Sequence, residues 1–376
     1  MRKIFLAVAA GCMIAGPLSA QDTEVFYLPL GVGIRMPTYD RVNGVSVPWG
    51  PEITIPPGRV TINPIVTYRS HIGKIDPSIE LDAAFGHMDT LNVYVGRGTF
   101  SSDTWIRSDL LNSLAAIGVG SDARNYYRAD RALARFWHSV RTERFVWSPT
   151  VGVNHERDWS TGVPVRHDNA PWSILNRNDT LKMRRTNPVI APGHITSGLV
   201  GVRGNYEENE LKGRFSVEVE RSFDEPASAS NDHFTQATLD AKGEFPTFRM
   251  QSFEFEGHSL MSSGPTPPQR YGYLGGAGTL ATVDLLALGG NKLFFAAAEY
   301  HIPLSRPVLP FVGTPVISAR YAAGSAGVDE LPDFIQNIGV ALGVKLVKVE
   351  YHIDPNYKKT PFTHKNAFTI GFSLSL

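Results

Sequence analysis

An alternation of side-chain character with period two recurs along this chain and limits its fold more than any other feature. In RFSVEVE, residues 214–220, Phe215, Val217 and Val219 share one face, and Arg214, Ser216, Glu218 and Glu220 share the other. Phe253 and Phe255 oppose Glu254 and Glu256. Phe294, Ala296, Ala298, Tyr300 and Ile302 oppose Glu299 and His301. Val347, Val349 and Tyr351 oppose Lys348, Glu350 and His352. Successive β side chains point to opposite faces, so each segment reads as a strand with one apolar and one polar face. Past the N-terminus no stretch reaches the roughly 18 apolar residues of a helical span.

Alternation alone does not choose between a soluble sandwich and a transmembrane antiparallel β-barrel. Three observations favour an all-β membrane barrel. Candidate strands fall at 41–49, 60–69, 78–86, 90–98, 110–118, 126–138, 144–155, 194–203, 213–222, 233–243, 251–258, 292–303, 311–322, 335–343, 345–353 and 367–376. That makes sixteen, an even number as bacterial single-chain barrels require. The pattern is mixed in 110–138 and 194–203, which leaves twelve or fourteen open. Long polar connections (156–193, 223–232, 259–291, 323–334 and 354–366) alternate with short ones, and only 99–109 breaks that order. Lastly, the chain ends on Ile370, Phe372, Leu374 and Leu376, with no tail, charge or proline to block an edge. An open edge is not viable in lipid, so this strand is expected to close on the first.

The N-terminus reads as a signal peptide, residues 1–20. Arg2 and Lys3 precede an apolar run at 4–15, and Leu18-Ser19-Ala20 offers a cleavage site. A lipid anchor on Cys12 is the weaker reading, because Ala9 stands where a large aliphatic is usual. Cys12 is the one cysteine. The mature chain therefore has no disulfide scaffold, thiolate metal site or cysteine nucleophile. Thirty-six basic residues balance thirty-six acidic ones, which leaves no nucleic-acid footprint.

Two stretches carry a resemblance. Thr369-x-Gly371-x-x-Leu374-x-Leu376 resembles the C-terminal insertion signal of outer-membrane barrels, although it ends on Leu rather than Phe. Residues 269–304, with Gly290-Asn291, Glu299-Tyr300 and Pro303-Leu304, resemble the bacterial surface antigen barrel of the Omp85 superfamily. Tyr39-Asp40-Arg41-Val42-Asn43-Gly44 resembles the opening of that family's first strand. The resemblance covers about 39–376, with 21–38 as a short periplasmic segment. It implies a glycine-rich loop, 259–291, folded into the lumen and locked there by an Arg-Gly-aromatic tip bonded to a wall carboxylate. Two placements of that tip compete. Arg270 with Gly272 and Tyr273 has one residue too many before the glycine. An alignment after Gly275-Gly276 loses the arginine to Ala281. Pro310-Phe311-Val312-Gly313-Thr314-Pro315 also lacks the family's aspartate. Arg270 with Glu299, which parity sends to the lumen, is the candidate lock.

The implied setting is the bacterial outer membrane. Its lipid and the barrel-assembly machinery are the implied partners, with a periplasmic protein or lipid as client. Residues 21–38 are too few for a periplasmic POTRA domain, so a barrel-only member is expected. The implied role is outer-membrane biogenesis or translocation. The alternatives are a passive pore or structural barrel and, more distantly, a membrane hydrolase. Glu299/His301, Glu350/His352 and His258-Ser259 invite the last, but no hydrolase or metalloprotease motif is present, and no cofactor or catalytic residue is assigned.

Overall fold

The computed structural model describes residues 33–55, 59–86, 88–161, 187–223, 233–304, 314–344 and 347–372. The signal segment and Cys12 lie outside them. Eighteen strands form one sheet, and two more form a ribbon. In chain order they are β1 (Thr38–Asp40), β2 (Gly44–Trp49), β3 (Ile53–Ile55), β4 (Val60–Arg69), β5 (Lys74–Phe85), β6 (Asp89–Phe100), β7 (Tyr127–His138), β8 (Val140–Arg141), β9 (Phe145–Trp159) and β10 (Gly193–Glu208). There follow β11 (Leu211–Ser222), β12 (Thr235–Pro246), β13 (Ser252–Ser263), the ribbon strands β14 (Gly272–Leu274) and β15 (Leu288–Gly290), then β16 (Lys292–Pro303), β17 (Val316–Gly327), β18 (Ile335–Val344), β19 (Val347–Ile353) and β20 (Asn366–Phe372). Each strand of the large sheet pairs antiparallel with its chain neighbours in an up-and-down meander. β2 and β3 both pair with β4, and β7 and β8 both pair with β9, so each of these couples is one interrupted strand.

The expected strand at 110–118 is a helix, α1 (Asp109–Val119). Its leucines and alanines are strong helix formers, and both ends are capped. The Ser108 side chain accepts from the Leu111 N–H, and Gly120 turns left-handed at φ 75° to close the C-terminus. The connection 101–126 thereby joins the end of the sheet that holds the other long connections, and the misplaced inner turn at 99–109 disappears. The expected opening at 41–49 also changes. Asp40 to Gly44 forms the bend between β1 and β2, where the Asp40 Oδ1 accepts from the Val42 and Asn43 N–H groups at 2.8 and 2.7 Å. Upstream, Ile34 bridges Trp49.

The two faces of the sheet are inverted relative to a soluble protein. Apolar side chains such as Val200 (61% exposed), Val153 (59%) and Val340 (58%) stand exposed on the outer face. Polar ones such as Glu156, Asn154 and Ser197 are buried on the other face. That inner face is covered by the connections 101–126 and 264–291. Helix α1, about 16 Å long, packs against both β1 and β20, so the sheet curls until its two end strands lie within one short helix of each other. Among the described residues no ladder register joins β20 to β1. No helix among them is long and apolar enough to cross a membrane.

Candidate functional site

The connection between β13 and β16 starts at Gly264, since β13 runs on to Ser263. It lies against the inner face and is held there by packing and by two polar anchors. Gly275, Gly276 and Gly278 adopt φ of 125°, 84° and 101°, which L side chains rarely reach. This lets the chain reverse while Leu274, Leu280 and Val283 bury against Leu260, Leu293, Phe295, Ala297, Ala322 and Ala326 of the wall. Trp105, from the 101–126 connection, packs on the same cluster. Leu285 and Leu286 pack with Ala123 and Ile106 in a second one.

The first anchor is at the stem. Arg270, buried, donates from Nε and Nη2 to the two Glu220 oxygens at 3.0 and 3.2 Å, and from Nη1 to the Tyr127 hydroxyl at 3.2 Å. It also ion-pairs with Glu156, which is 0% exposed and carries Arg131 as a second cation at 2.7 Å. Beside it, the Gln269 Nε2 donates to Asp158 at 2.9 Å, and the Gln236 Nε2 donates to the Arg270 carbonyl at 2.9 Å. Three wall strands (β7, β9 and β11) thus converge on one loop guanidinium, whose planar fork suits paired carboxylate contacts.

The second anchor is at the tip, and its polarity is reversed. The cation belongs to the wall. Arg320 of β17 donates from Nη2 to the Gly278 carbonyl at 3.0 Å and from Nη1 to the Thr279 carbonyl at 3.3 Å, while Glu256 takes Nη2 at 3.0 Å. The Asn337 Oδ1 accepts from the Thr282 N–H at 3.0 Å, and its Nδ2 donates to the Thr282 hydroxyl at 2.7 Å. The Arg107 Nη2 donates to the Ala277 carbonyl at 2.8 Å. From the last long connection, the His364 N–H donates to the Thr282 carbonyl at 2.8 Å, and the Phe362 carbonyl accepts from the Asp284 N–H at 2.9 Å.

The expected lock residues are not brought together. Arg270 takes Glu156 and Glu220. Glu299 takes the Lys348 Nζ at 2.6 and 2.8 Å, with the Arg320 Nε at 3.9 Å. Strand parity gave Glu299 its face but not its height. It lies seven residues into β16, about 24 Å from the stem end at ~3.4 Å per residue. Gly272 and Tyr273 form β14, paired with Gly290 and Gly289. Thr369 faces inward and donates to the Glu350 Oε2 at 3.2 Å, and Gly371 lies opposite Lys348. Leu374 and Leu376 fall outside the described residues, as does most of 310–315. His258 and Ser259 occupy successive positions of β13 and so project to opposite faces. His258 stacks on Trp105 at 4.0 Å and pairs through Nδ1 with Asp240 at 2.6 Å. Glu350 and His352 belong to the Lys348 network.

Sequence reasoning missed Arg320, Glu156 and Asn337. Arg320 had a signal, since it is the one charged residue in the run Ser318-Ala319-Arg320-Tyr321-Ala322-Ala323-Gly324. It also missed α1's second role. The Tyr39 N–H of β1 and the Arg41 N–H just past its end turn away from β2. They donate to the Ser113 Oγ and the Asp122 Oδ2, each at 3.0 Å. A helix and its C-terminal flank thus cap the first strand's outer edge.

No family model matches the chain, and no curated protein does. Solved structures do. BamA from Haemophilus ducreyi lacking POTRA domains 1–3 matches with a TM-score of 0.55 at 12% identity, over 90% of this chain and 69% of that one. CdiB from Escherichia coli gives 0.52 at 13%, over 91% and 61%. CdiB from Acinetobacter baumannii gives 0.49 at 12%, over 89% and 57%. This chain spans about three-fifths of the CdiB chains' length. At such identities the likeness is one of fold.

Proposed function

We propose that this chain is an outer-membrane β-barrel of the Omp85 surface-antigen type, with the loop 264–291 as an internal plug. Its role on this reading is outer-membrane biogenesis or translocation of protein or lipid. The observation that carries the proposal is the double anchoring of that loop on the inner face, by Arg270 at the stem and Arg320 at the tip. Ordering a glycine-rich loop opposes its conformational entropy, and an interior built only to conduct has no need of two such anchors. The fold likeness to BamA supports the same reading.

In this proposal the eighteen strands, counting each interrupted couple once, form sixteen rows that close at the β1–β20 seam. The bare apolar outer face meets lipid, and at the seam α1 covers the edge of β1 and reaches β20. Thr369, Gly371, Leu374 and Leu376 serve as the insertion signal read by the barrel-assembly machinery. A protein or lipid on the periplasmic side is the client, and no catalytic group is invoked.

The test is conductance in planar bilayers, comparing the refolded protein with a variant in which residues 267–287 are replaced by a short Gly-Ser linker. Low, flickering current that becomes large and steady in the variant is the expected result. Large steady current in the intact protein would sink the plug and favour a passive pore.

A further inference from the structure

On the outer face, the end of the sheet that carries the long connections holds a basic row beside the apolar band. Arg97, Asp130, Arg157 and His194 are successive cross-strand partners on β6, β7, β9 and β10. Arg97 holds both Asp130 oxygens, at 2.6 and 2.9 Å, and Arg157 lies within Coulombic reach of the same carboxylate, so the one acid of that row is shared by two arginines. One position further down, His155 accompanies His194 in a stack at 5.6 Å. Arg221 of β11 stands exposed opposite Gly198, four residues closer to the strand middle on β10 than His194, and donates to the Thr235 hydroxyl at 3.4 Å. Immediately toward the strand middles come Val95, Val153, Val200 and Val219, all exposed. Trp159 lies under Arg97 at 5.5 Å, two residues beyond Arg157 along β9 and on the side of the row away from the valines. The row is one-sided, for β19 and β20 present Tyr351, Ile353 and Phe368 on their outer face toward the same end.

We propose that this row binds the phosphorylated headgroup of a membrane lipid in the leaflet at the long-connection end. Its acyl chains would lie along the valine band below. The inference rests on the membrane reading above and adds a ligand class to it. The argument is charge complementarity at a fixed height. Arginine forks match phosphate oxygens bidentately. Excess positive charge next to an apolar band is matched where a lipid carries its own anionic group. A phosphomonoester offers up to two negative charges and three acceptor oxygens to Arg157 and the histidine pair, with Arg221 adding positive charge beside the valines, whereas a zwitterionic headgroup offers no net charge.

The experiment reconstitutes the full protein, and the double variant Arg157→Gln/Arg221→Gln, into phosphatidylcholine vesicles doped with phosphatidic acid. Lipid retained after detergent release is counted by native mass spectrometry. Wild type is expected to retain phosphatidic acid over phosphatidylcholine. At roughly fivefold per arginine near a charged membrane surface, the double variant should lose about twenty-five-fold of that preference. Equal retention by both proteins would overturn the inference while leaving the barrel intact. Insertion is scored separately in pure phosphatidylcholine, by heat-modifiable gel migration and protection from added protease. A wild-type protein that fails to insert there would overturn the membrane reading, and this inference with it.

Discussion

Replacing Arg320 by methionine isolates the tip anchor. The side chain is 6% exposed and of similar length to methionine, so the wall keeps its packing while the loop loses a charged donor. Two loop carbonyls are affected unequally. Thr279 is buried, so its carbonyl would be left without that donor, whereas Gly278 is exposed and water can replace the guanidinium. Glu256, partly exposed, is also hydrated on release, and Glu299 keeps Lys348. The loss is therefore about one charged hydrogen bond plus the desolvation of one acceptor, roughly 2–3 kcal/mol. That corresponds to a thirty- to hundredfold rise in the open population of the tip at ~1.4 kcal/mol per decade. Hydrogen exchange reads it directly. The Gly276, Thr279 and Val283 amides bond within the loop, to Leu280, Gly276 and Leu280 carbonyls, and should lose protection by that factor. The Arg270 amide, bonded to the Pro267 carbonyl at the stem, should keep its own. Protection at the tip unchanged within threefold would refute the reasoning and shift the anchor to Asn337, Arg107 and the 354–365 connection. Equal loss along β17 would show that the wall, not the loop, had been weakened.

Arg270→Gln should destabilise the folded protein by about 3 kcal/mol, because Glu156 stays buried with Arg131 alone. A lowered urea midpoint reports it, and Arg270→Lys should not restore it, since one ammonium cannot span Glu156, Glu220 and Tyr127 together. Phe295→Ala empties the centre of the loop–wall cluster at a site 1% exposed. About 3–5 kcal/mol is expected, seen as protease cleavage within 264–291 at urea concentrations where wild type resists. Ser113→Ala removes the acceptor from the Tyr39 amide. Exchange at that amide should quicken about fivefold, for ~1 kcal/mol, with β4–β5 amides unaffected. Ser108→Ala should fray α1 by about 1 kcal/mol, visible as faster exchange at Leu111 and at Asn112, whose N–H donates to the Ser108 carbonyl.

Most of the wall was legible in the residues, because a period-two pattern is local. The inward set Glu218, Glu220, Glu254, Glu256, Glu299, Lys348 and Glu350 follows from parity once each strand is recognised, and the ladders keep that parity across neighbours. The 110–118 error came from the same source. DLLNSLAAIGV contains enough apolar residues to fit a short strand template, and what separated helix from strand was the Ser108 and Gly120 caps. Arg270 was singled out through the resemblance to the family's Arg-Gly-aromatic tip. Its partners were not, because Glu156 and Glu220 lie 114 and 50 positions upstream on strands whose nearness depends on how the sheet curls.

The sequence by itself determined which segments extend, which face of each is apolar, and that a long glycine-rich connection must leave β13. These are properties of neighbouring residues and of steric limits on φ. Only the tertiary structure decided how deep that connection reaches, that its tip is held by a cation of the wall rather than one of its own, and that α1 caps the outer edge of β1. Depth and partner depend on curl and stagger summed over many strands, and no single strand's sequence contains that sum.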